Sequence, residues 1–300
     1  MMLTLRGRLL FGSCTYNWNN TTCGKGMKVL SLLFGASTDD DMARYASDEF
    51  LHLVFRKLDQ HPGRAELWPT ALELLCKICA HTPRVATQLI RLGYVQTVLR
   101  VFQECPDSPR IHETACNFLC LVSSQIPSSN ALFIDEGVVR TVVDTMRFNT
   151  GTVVSRNACC RLLQQIAASS PSAILSTVTD GAIPVILSVL REHERASPLH
   201  EVCCSTLLLL TEKSQVNAQS VVDEDGIKLL LRSMRAHRDN LDVALSIVRL
   251  LGEVVNLCMA TMLETVDKEF FERLLELLRV HPQSVDLRVK VNCAESSAED

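Results

Sequence analysis

Gly181-Ala-Ile-Pro-Val-Ile-Leu187 is one copy of a pattern that recurs along the chain every 44 residues. The position of Ile183 is apolar in six successive copies: Leu51, Val95, Val139, Ile183, Ile227 and Phe271. A fixed repeat of this length is typical of a solenoid, in which small helical units stack on one another. The pattern therefore predicts a chain of stacked repeats and not an enzyme with a single core.

Each copy contains an amphipathic helix, which we call the middle helix of the repeat. Apolar residues stand three, four and seven places after the Ile183 position, and this spacing forms one face of an α-helix. The three columns are Val54, Val98, Val142, Ile186, Leu230 and Leu274; Phe55, Leu99, Val143, Leu187, Leu231 and Leu275; and Leu58, Phe102, Met146, Leu190, Met234 and Leu278. We expect these side chains to form the core.

A short first helix precedes the middle helix and is predicted to end at a glycine. The glycines are Gly93, Gly137, Gly181 and, one place later, Gly226. Glycine adopts the left-handed conformation that stops one helix and lets the next leave at a steep angle. Pro184 then occupies the first turn of its middle helix, where a missing backbone N–H costs nothing.

A longer third helix completes the repeat. One of its columns holds mostly small residues, which let helices of adjacent repeats approach closely: Ala71, Ala115, Cys159, Cys203 and Ile247. Another is uniformly leucine: Leu75, Leu119, Leu163, Leu207 and Leu251. The cysteines of these helices are therefore predicted to be small core hydrophobes.

Three helices per repeat, the Gly-Ala-Ile-Pro junction and the small-residue column together resemble the armadillo repeat. The resemblance covers residues 38–294 and implies an all-α fold, a right-handed α-solenoid of armadillo-type three-helix repeats. Five full repeats and a partial sixth are predicted: 38–81, 82–125, 126–169, 170–213, 214–257 and 258–294. HEAT repeats, which are two-helix units, are the alternative architecture.

The two ends of the chain differ from the repeats. Residues 1–37 contain four basic residues and no acidic residue, and are predicted to be a degenerate half-repeat or a disordered lead. A mitochondrial presequence is the alternative interpretation. Residues 295–300 form a polar tail. Many cysteines without a disulfide framework favour a reducing compartment, so the expected location is cytoplasmic, or mitochondrial if residues 1–37 act as a presequence.

Composition and motifs argue against several classes of protein. A formal charge of −4 does not suit a protein that coats nucleic acid, and no apolar run is long enough to predict a membrane span. Cys76 and Cys79 form the one Cys-x-x-Cys pair, and no second pair stands at metal-ligand spacing. The motifs of phosphate loops, hydrolases and kinases are missing. We therefore expect no enzyme activity, cofactor, metal or small-molecule substrate. The histidines are expected to be solvated turn residues, including His112 and His200.

The resemblance implies that third helices line a concave groove. Importin and catenin relatives carry ladders of asparagine and tryptophan there, and this chain has neither, so binding of nuclear import signals or of long acidic tails is not expected. The residues at these positions become the candidate partner-binding set: Asn117, Arg161, Gln165, Ser205 and Arg249. The two arginines are expected about 20 Å apart, two helix layers along the stack.

Solenoids act through their surfaces, so the sequence predicts a binding protein. The leading hypothesis is a non-enzymatic scaffold or adaptor that holds a protein partner, or an extended peptide of it, on the concave surface. The alternative is a structural segment of a larger assembly or multidomain protein, joined through its terminal repeats.

Overall fold

The computed structural model describes residues 48–59, 67–149 and 151–262, with three further single positions at 275, 279 and 280. Within these residues every regular element is an α-helix, so the predicted all-α class is confirmed there. The predictions for residues 1–37, for most of the sixth repeat and for the polar tail 295–300 concern residues outside this part.

Fourteen helices are found in the described ranges. They are α1 Asp48–Asp59, α2 Leu67–His81, α3 Arg84–Arg91, α4 Tyr94–Glu104, α5 Pro109–Gln125, α6 Ser129–Asp135, α7 Val138–Phe148, α8 Val153–Ala167, α9 Pro171–Thr179, α10 Ala182–Glu192, α11 Ser197–Thr211, α12 Gln215–Asp223, α13 Gly226–Ala236 and α14 Leu241–Met262. The last contains a kink at Cys258 (φ −118°, ψ 21°). Helices α5, α8, α11 and α14 are third helices of successive repeats, and their first residues are 44 positions apart.

The described residues form two compact halves, an N-terminal half within Met1–Glu136 and a C-terminal half within Gly137–Asp300. In the N-terminal half, α2 packs directly along α5, and the ring of Phe55 stacks on Tyr94 with centroids 3.6 Å apart. In the C-terminal half, α11 lies between α8 and α14 and packs on both. Small buried side chains occupy these contacts: the Sγ atoms of Cys160 and Cys203 are 3.5 Å apart.

The apolar columns of the middle helices form the core of both halves, with two exceptions. At the described positions the side chains are buried, from Leu51 to Met234. Leu231 is only half-buried and Leu275 is 43% exposed, so for these two the expected core position is wrong. Both belong to the last two repeats, where fewer described helices follow to cover that face.

Three junctions between first and middle helices have the predicted left-handed glycine. The φ angles of Gly93, Gly137 and Gly181 are +74°, +77° and +84°. At the fourth junction the prediction is wrong: Asp225 takes the left-handed conformation (φ +55°), and Gly226 begins α13. A Cβ added at Gly226 would lie 2.5 Å from the carbonyl oxygen of Val221, so this glycine is needed for close approach and not for its φ angle.

Replacement of Gly137 by alanine is expected to lower the free energy of unfolding by about 1–2 kcal/mol, because a Cβ in the left-handed region meets the backbone of its own residue, and no other atom lies within 4 Å of it. Urea unfolding of the two proteins measures this. Gly252→Ala is the matched control, since Gly252 lies inside α14 and an added Cβ there has no neighbour within 4 Å. Alanine should be neutral or slightly stabilising at that site. Equal losses at both positions would contradict the role of the φ angle.

The histidine prediction is wrong for three residues. His112, His200 and His237 are buried although they lie at or near helix ends. The ring of His112 stacks on Phe102 with centroids 5.3 Å apart, and Nε2 of His200 is 3.2 Å from Oγ of Ser233. His112 and His200 belong to a column that is buried in each of the five described third helices, and its members are Trp68, His112, Arg156, His200 and Ala244. The position of a histidine within the repeat therefore decides whether its side chain is buried, even though the ring is polar.

None of the described helices is, taken singly, both long and apolar enough to cross a membrane. Helices α9 and α10 satisfy the length and composition criteria only when taken together, and they are bent by 67° relative to each other.

Candidate protein-interaction surface

The five candidate residues all lie on third helices, four of them in the C-terminal half. Arg161 and Gln165 are on α8, Ser205 is on α11 and Arg249 is on α14. Because α11 packs between α8 and α14, the positions of Arg161 and Arg249 flank that of Ser205. We call the solvent-facing side of α8, α11 and α14 the third-helix face. Asn117 is exposed on α5 in the N-terminal half.

The two arginines are the strongest binding candidates on the third-helix face. Both are exposed, and within the described ranges neither makes an ion pair or a side-chain hydrogen bond. Between them, α11 presents Leu208 and Leu209, which are half-buried. The face thus combines two available guanidinium groups with an apolar centre, a combination common in protein-binding surfaces.

Ser205 and Gln165 are less available for contact with a binding partner than the two arginines. The hydroxyl of Ser205 donates to the carbonyl oxygen of Glu201 at 2.7 Å, one turn back in its own helix, so its hydrogen is already used. Gln165 is half-buried and has an interaction of its own. These two side chains are therefore better placed to shape the face than to anchor a partner.

Acidic side chains also lie on the third-helix face. Glu201 is exposed on α11, Glu212 is exposed directly after the end of α11, and Glu253 on α14 accepts a hydrogen bond from the backbone N–H of Lys213 at 3.1 Å. The face is thus mixed in charge, with cations at the Arg161 and Arg249 positions and carboxylates around them. A partner that places a single anionic group at an arginine fits this distribution better than a uniformly acidic one.

In the N-terminal half, the equivalent column is occupied differently. The carboxylate of Glu73 on α2 pairs with Arg110 on α5 at 3.3 Å, and both groups are exposed. Asn117 stands on α5 two turns after Arg110 and is also exposed. Its amide can donate and accept, which suits the backbone of an extended peptide.

A second arginine column, which was not predicted from the sequence, lies on the middle helices. Arg147 donates from Nη2 to the carbonyl oxygen of Asp180 at 3.1 Å, and Arg191 donates to that of Glu224. Each acceptor is the residue that follows the first helix of the next repeat, where carbonyls lack helical partners. The signal was available: arginines at positions 147, 191, 235 and 279 follow the 44-residue step.

Arg156 was also missed, and it is buried. Its guanidinium donates to the carbonyl oxygens of Met146 at 2.5 Å and Asn149 at 2.6 Å, at the end of α7. Oε2 of Glu192 lies 3.8 Å from Nη2. The side chain therefore fixes the α7–α8 connection and ties it to the end of α10, the next middle helix.

A Ser–His contact beside α11 does not have the geometry of a catalytic triad. Oγ of Ser197 is 3.0 Å from Nδ1 of His237, but Nε2 of His237 is buried and without a hydrogen-bond partner, so no carboxylate orients the ring. The ring of His200 lies 4.4 Å away, centroid to centroid. Burial lowers the pKa of both histidines, and that of His200 falls to about 4. The pair is a packed, neutral cluster.

The Cys-x-x-Cys pair is part of helix α2. Cys79 is buried and Cys76 is half-buried, and burial raises the pKa of each thiol to about 12. No group of three or more His, Cys, Asp or Glu side chains in the described ranges is placed to hold a metal ion. Protonated thiols of this kind are poor nucleophiles and poor metal ligands.

Alkylation of Cys76 and Cys79 by iodoacetamide at pH 8 is expected to be at least about 100-fold slower than for an accessible thiol, because only the thiolate reacts. Peptide mapping by mass spectrometry at timed intervals measures each site. The same reaction in denaturing urea is the control, where both sites should react fully. Rapid labelling of the folded protein would contradict the burial of these thiols.

The chain is similar to helical-repeat proteins by sequence-family and structural comparison. Three crystal structures of engineered proteins have TM-scores of 0.66, 0.66 and 0.68 at 14%, 15% and 16% identity. They cover 100%, 84% and 83% of this chain and 80%, 97% and 98% of their own. At such identities the likeness shows the fold alone. No curated protein matches the chain in sequence.

One family model, described as Protein zer-1 homolog-like, C-terminal domain, matches residues 65–294. The match begins just before α2 and extends beyond α14, so it includes every described third helix. Since it spans well over half of the chain, the protein belongs to the Protein zer-1 homolog-like family, whose C-terminal domain it contains.

Proposed function

We propose that this protein is a non-enzymatic scaffold that binds an extended segment of a partner protein on the third-helix face of its C-terminal half. The proposal includes an armadillo-type, right-handed solenoid with a 44-residue period. Membership of a helical-repeat family is compatible with such a role. Solenoids of this kind offer one set of side chains per repeat to a partner that runs along the stack.

One observation carries the proposal: the exposed Arg161 and Arg249, without ion-pair partners among the described residues, on the two helices that flank α11. An exposed guanidinium that is not paired internally can form two parallel hydrogen bonds to a carboxylate or phosphate. The half-buried Leu208 and Leu209 between them supply apolar area that a partner side chain would cover. The partner segment therefore carries an anionic group next to an apolar residue.

The test is an affinity purification from the source cell, in which the intact chain is compared with the double variant Arg161→Glu/Arg249→Glu. Each substitution replaces an attractive contact with a repulsive one, so partners held by this face should be lost. Quantitative mass spectrometry of the captured proteins is the readout. Circular dichroism and thermal unfolding establish that the variant is folded.

A matched control has the same change in charge elsewhere in the same half. Arg140→Glu/Lys228→Glu alters two exposed cations on the middle helices α7 and α13. It is expected to retain the partners that the first variant loses. If both variants and the intact chain capture the same proteins, the third-helix face is not the binding surface and the proposal is wrong.

A further inference from the structure

A second surface of the C-terminal half combines exposed apolar side chains with uncompensated positive charge. We call it the edge patch and define it by Phe148, Val153, Val154, Arg191 and Arg195. Phe148 is 74% exposed and Val154 is 56% exposed, which is unusual for side chains of this size. Phe148 is the last residue of the middle helix α7, and Val154 lies in the first turn of the third helix α8, seven residues before Arg161.

Arg156 links the segment that follows Phe148 to the end of α10, where Arg191 lies. Its buried guanidinium binds the Asn149 carbonyl in the α7–α8 connection and lies 3.8 Å from Glu192 in the next repeat. A Cβ added at Gly151 would lie 2.5 Å from Nε of Arg156, so the connection passes directly over the guanidinium. The arrangement is thus fixed by the fold.

A groove of about 700 Å³ lies in the edge patch. Its lining consists of Val153 and residues 191–196, which end α10 and connect it to α11. Nε2 of His193 in this lining is buried and has no hydrogen-bond partner. The guanidinium of Arg147 lies 5.7 Å from the centroid of the Phe148 ring, which limits the positions open to that ring.

The carboxylates of the groove are paired within the protein, whereas its cations are not paired with carboxylates. Glu192 lies against the buried Arg156, and Glu194 pairs with Arg232 at 3.2 Å. Arg191 donates only to a backbone carbonyl, that of Glu224. Arg195 is exposed and has no ion pair with any described carboxylate. The lining contains two arginines and two glutamates, and the arginines are the charged groups without a carboxylate partner, next to the apolar Val153.

We propose that the edge patch binds a short segment of a partner protein in which a carboxylate side chain stands next to a large apolar one. The apolar side chain packs on Phe148 and Val154, and the carboxylate bonds to the guanidinium of Arg195. Charge complementarity selects this occupant. A basic segment would be repelled by Arg191 and Arg195, and it would find no available carboxylate because Glu192 and Glu194 are already paired within the protein. The anchoring residues Phe148 and Arg195 differ from those proposed for the third-helix face, and the inference does not depend on the function proposed for that face.

Selection of a random-peptide phage library on the immobilised full chain tests the proposal. Expected binders carry Asp or Glu within a few residues of Leu, Ile or Phe. Affinities of the synthetic peptides, measured by fluorescence anisotropy, should fall by about tenfold or more with Arg195→Glu and with Phe148→Ser, as for residues that anchor an interface. A peptide with Lys in place of its acidic residue should regain binding to the Arg195→Glu variant.

Two control variants separate this surface from the rest of the C-terminal half. Leu175→Ser alters an equally exposed apolar residue on α9, and Arg161→Glu alters the third-helix face. Both should bind the selected peptides as the intact chain does. All variants are checked for native circular dichroism and thermal unfolding.

Three results would overturn the proposal. They are a library that yields no binders, binders that do not need Arg195 and Phe148, and binders that are lost with Arg161→Glu instead. Sedimentation velocity adds a fourth: self-association of the intact chain that Phe148→Ser abolishes would assign the patch to a second copy of this protein.

Discussion

Leu187→Ala is expected to lower the free energy of unfolding by about 2–5 kcal/mol, the range for leucines removed from well-packed cores. Leu187 is fully buried on α10, whose neighbours Ile183, Ile186 and Leu190 are buried as well. The loss has two parts: less apolar surface is removed from water on folding, and the surrounding helices cannot close the cavity completely. Urea unfolding followed by circular dichroism gives the difference.

Leu175→Ala is the matched control for this experiment. Leu175 lies on α9 in the same half of the protein and is 68% exposed. Removal of its side chain leaves no cavity, so a change of less than about 0.5 kcal/mol is expected. A loss below about 1 kcal/mol at Leu187, or equal losses at both leucines, would show that the column is not core.

The stability of the C-terminal half is expected to decrease as the pH falls from 6.5 towards 4. Burial is the main cause that lowers the pKa of His200 from 6.5 to about 4; His237 and His193 lower it further, and the Ala196 carbonyl and Glu194 oppose the shift. The unfolded chain therefore binds a proton at a pH where the folded chain does not. By linkage, this stability is fully present above pH 6.5 and is lost as the pH falls through that window.

The expected size of this effect is about 2 kcal/mol between pH 7 and pH 5, since one pKa unit corresponds to about 1.4 kcal/mol. His237 adds to it in the same direction, because burial lowers its pKa too. Urea unfolding at several pH values measures the slope for the intact chain and for His200→Phe. The variant is expected to have a smaller slope, because its ring binds no proton in either state.

Leu187→Ala serves as the control here as well. It destabilises the same half without changing a titratable group, so its stability should fall with pH in parallel with that of the intact chain. If His200→Phe also runs parallel to the intact chain, the acid sensitivity comes from other groups. If stability rises between pH 6.5 and 4, the histidine pair is not held neutral in the folded protein.

Much of the fold follows from the sequence because its determinants are local or periodic. Apolar spacing within ten residues is sufficient to place the middle helices, and glycine is sufficient at Gly93, Gly137 and Gly181. At Asp225 the same local reasoning failed, because a short polar side chain also tolerates the left-handed region and Gly226 was needed one place later for space.

The candidate surface was predictable in part. The repeat assigned Arg161 and Arg249 to third helices, where both are exposed. It did not reveal that the hydroxyl of Ser205 is used by its own helix, since that depends on the rotamer. His200 was assigned to solvent on the basis of its polarity, although its column also contains the buried Trp68.

The sequence by itself determined the helices, their repetition and most of the core, because hydrogen bonding within a helix and apolar periodicity depend on residues close in the chain. The tertiary structure decided which polar groups are used internally and which remain available. Arg156 and Arg195 show this: one is buried on carbonyls at the end of α7, and the other is exposed at a groove. Whether a polar side chain is used internally depends on which helix end, of the same or the next repeat, lies opposite it. The packing of the helices against one another determines this, and the local sequence does not.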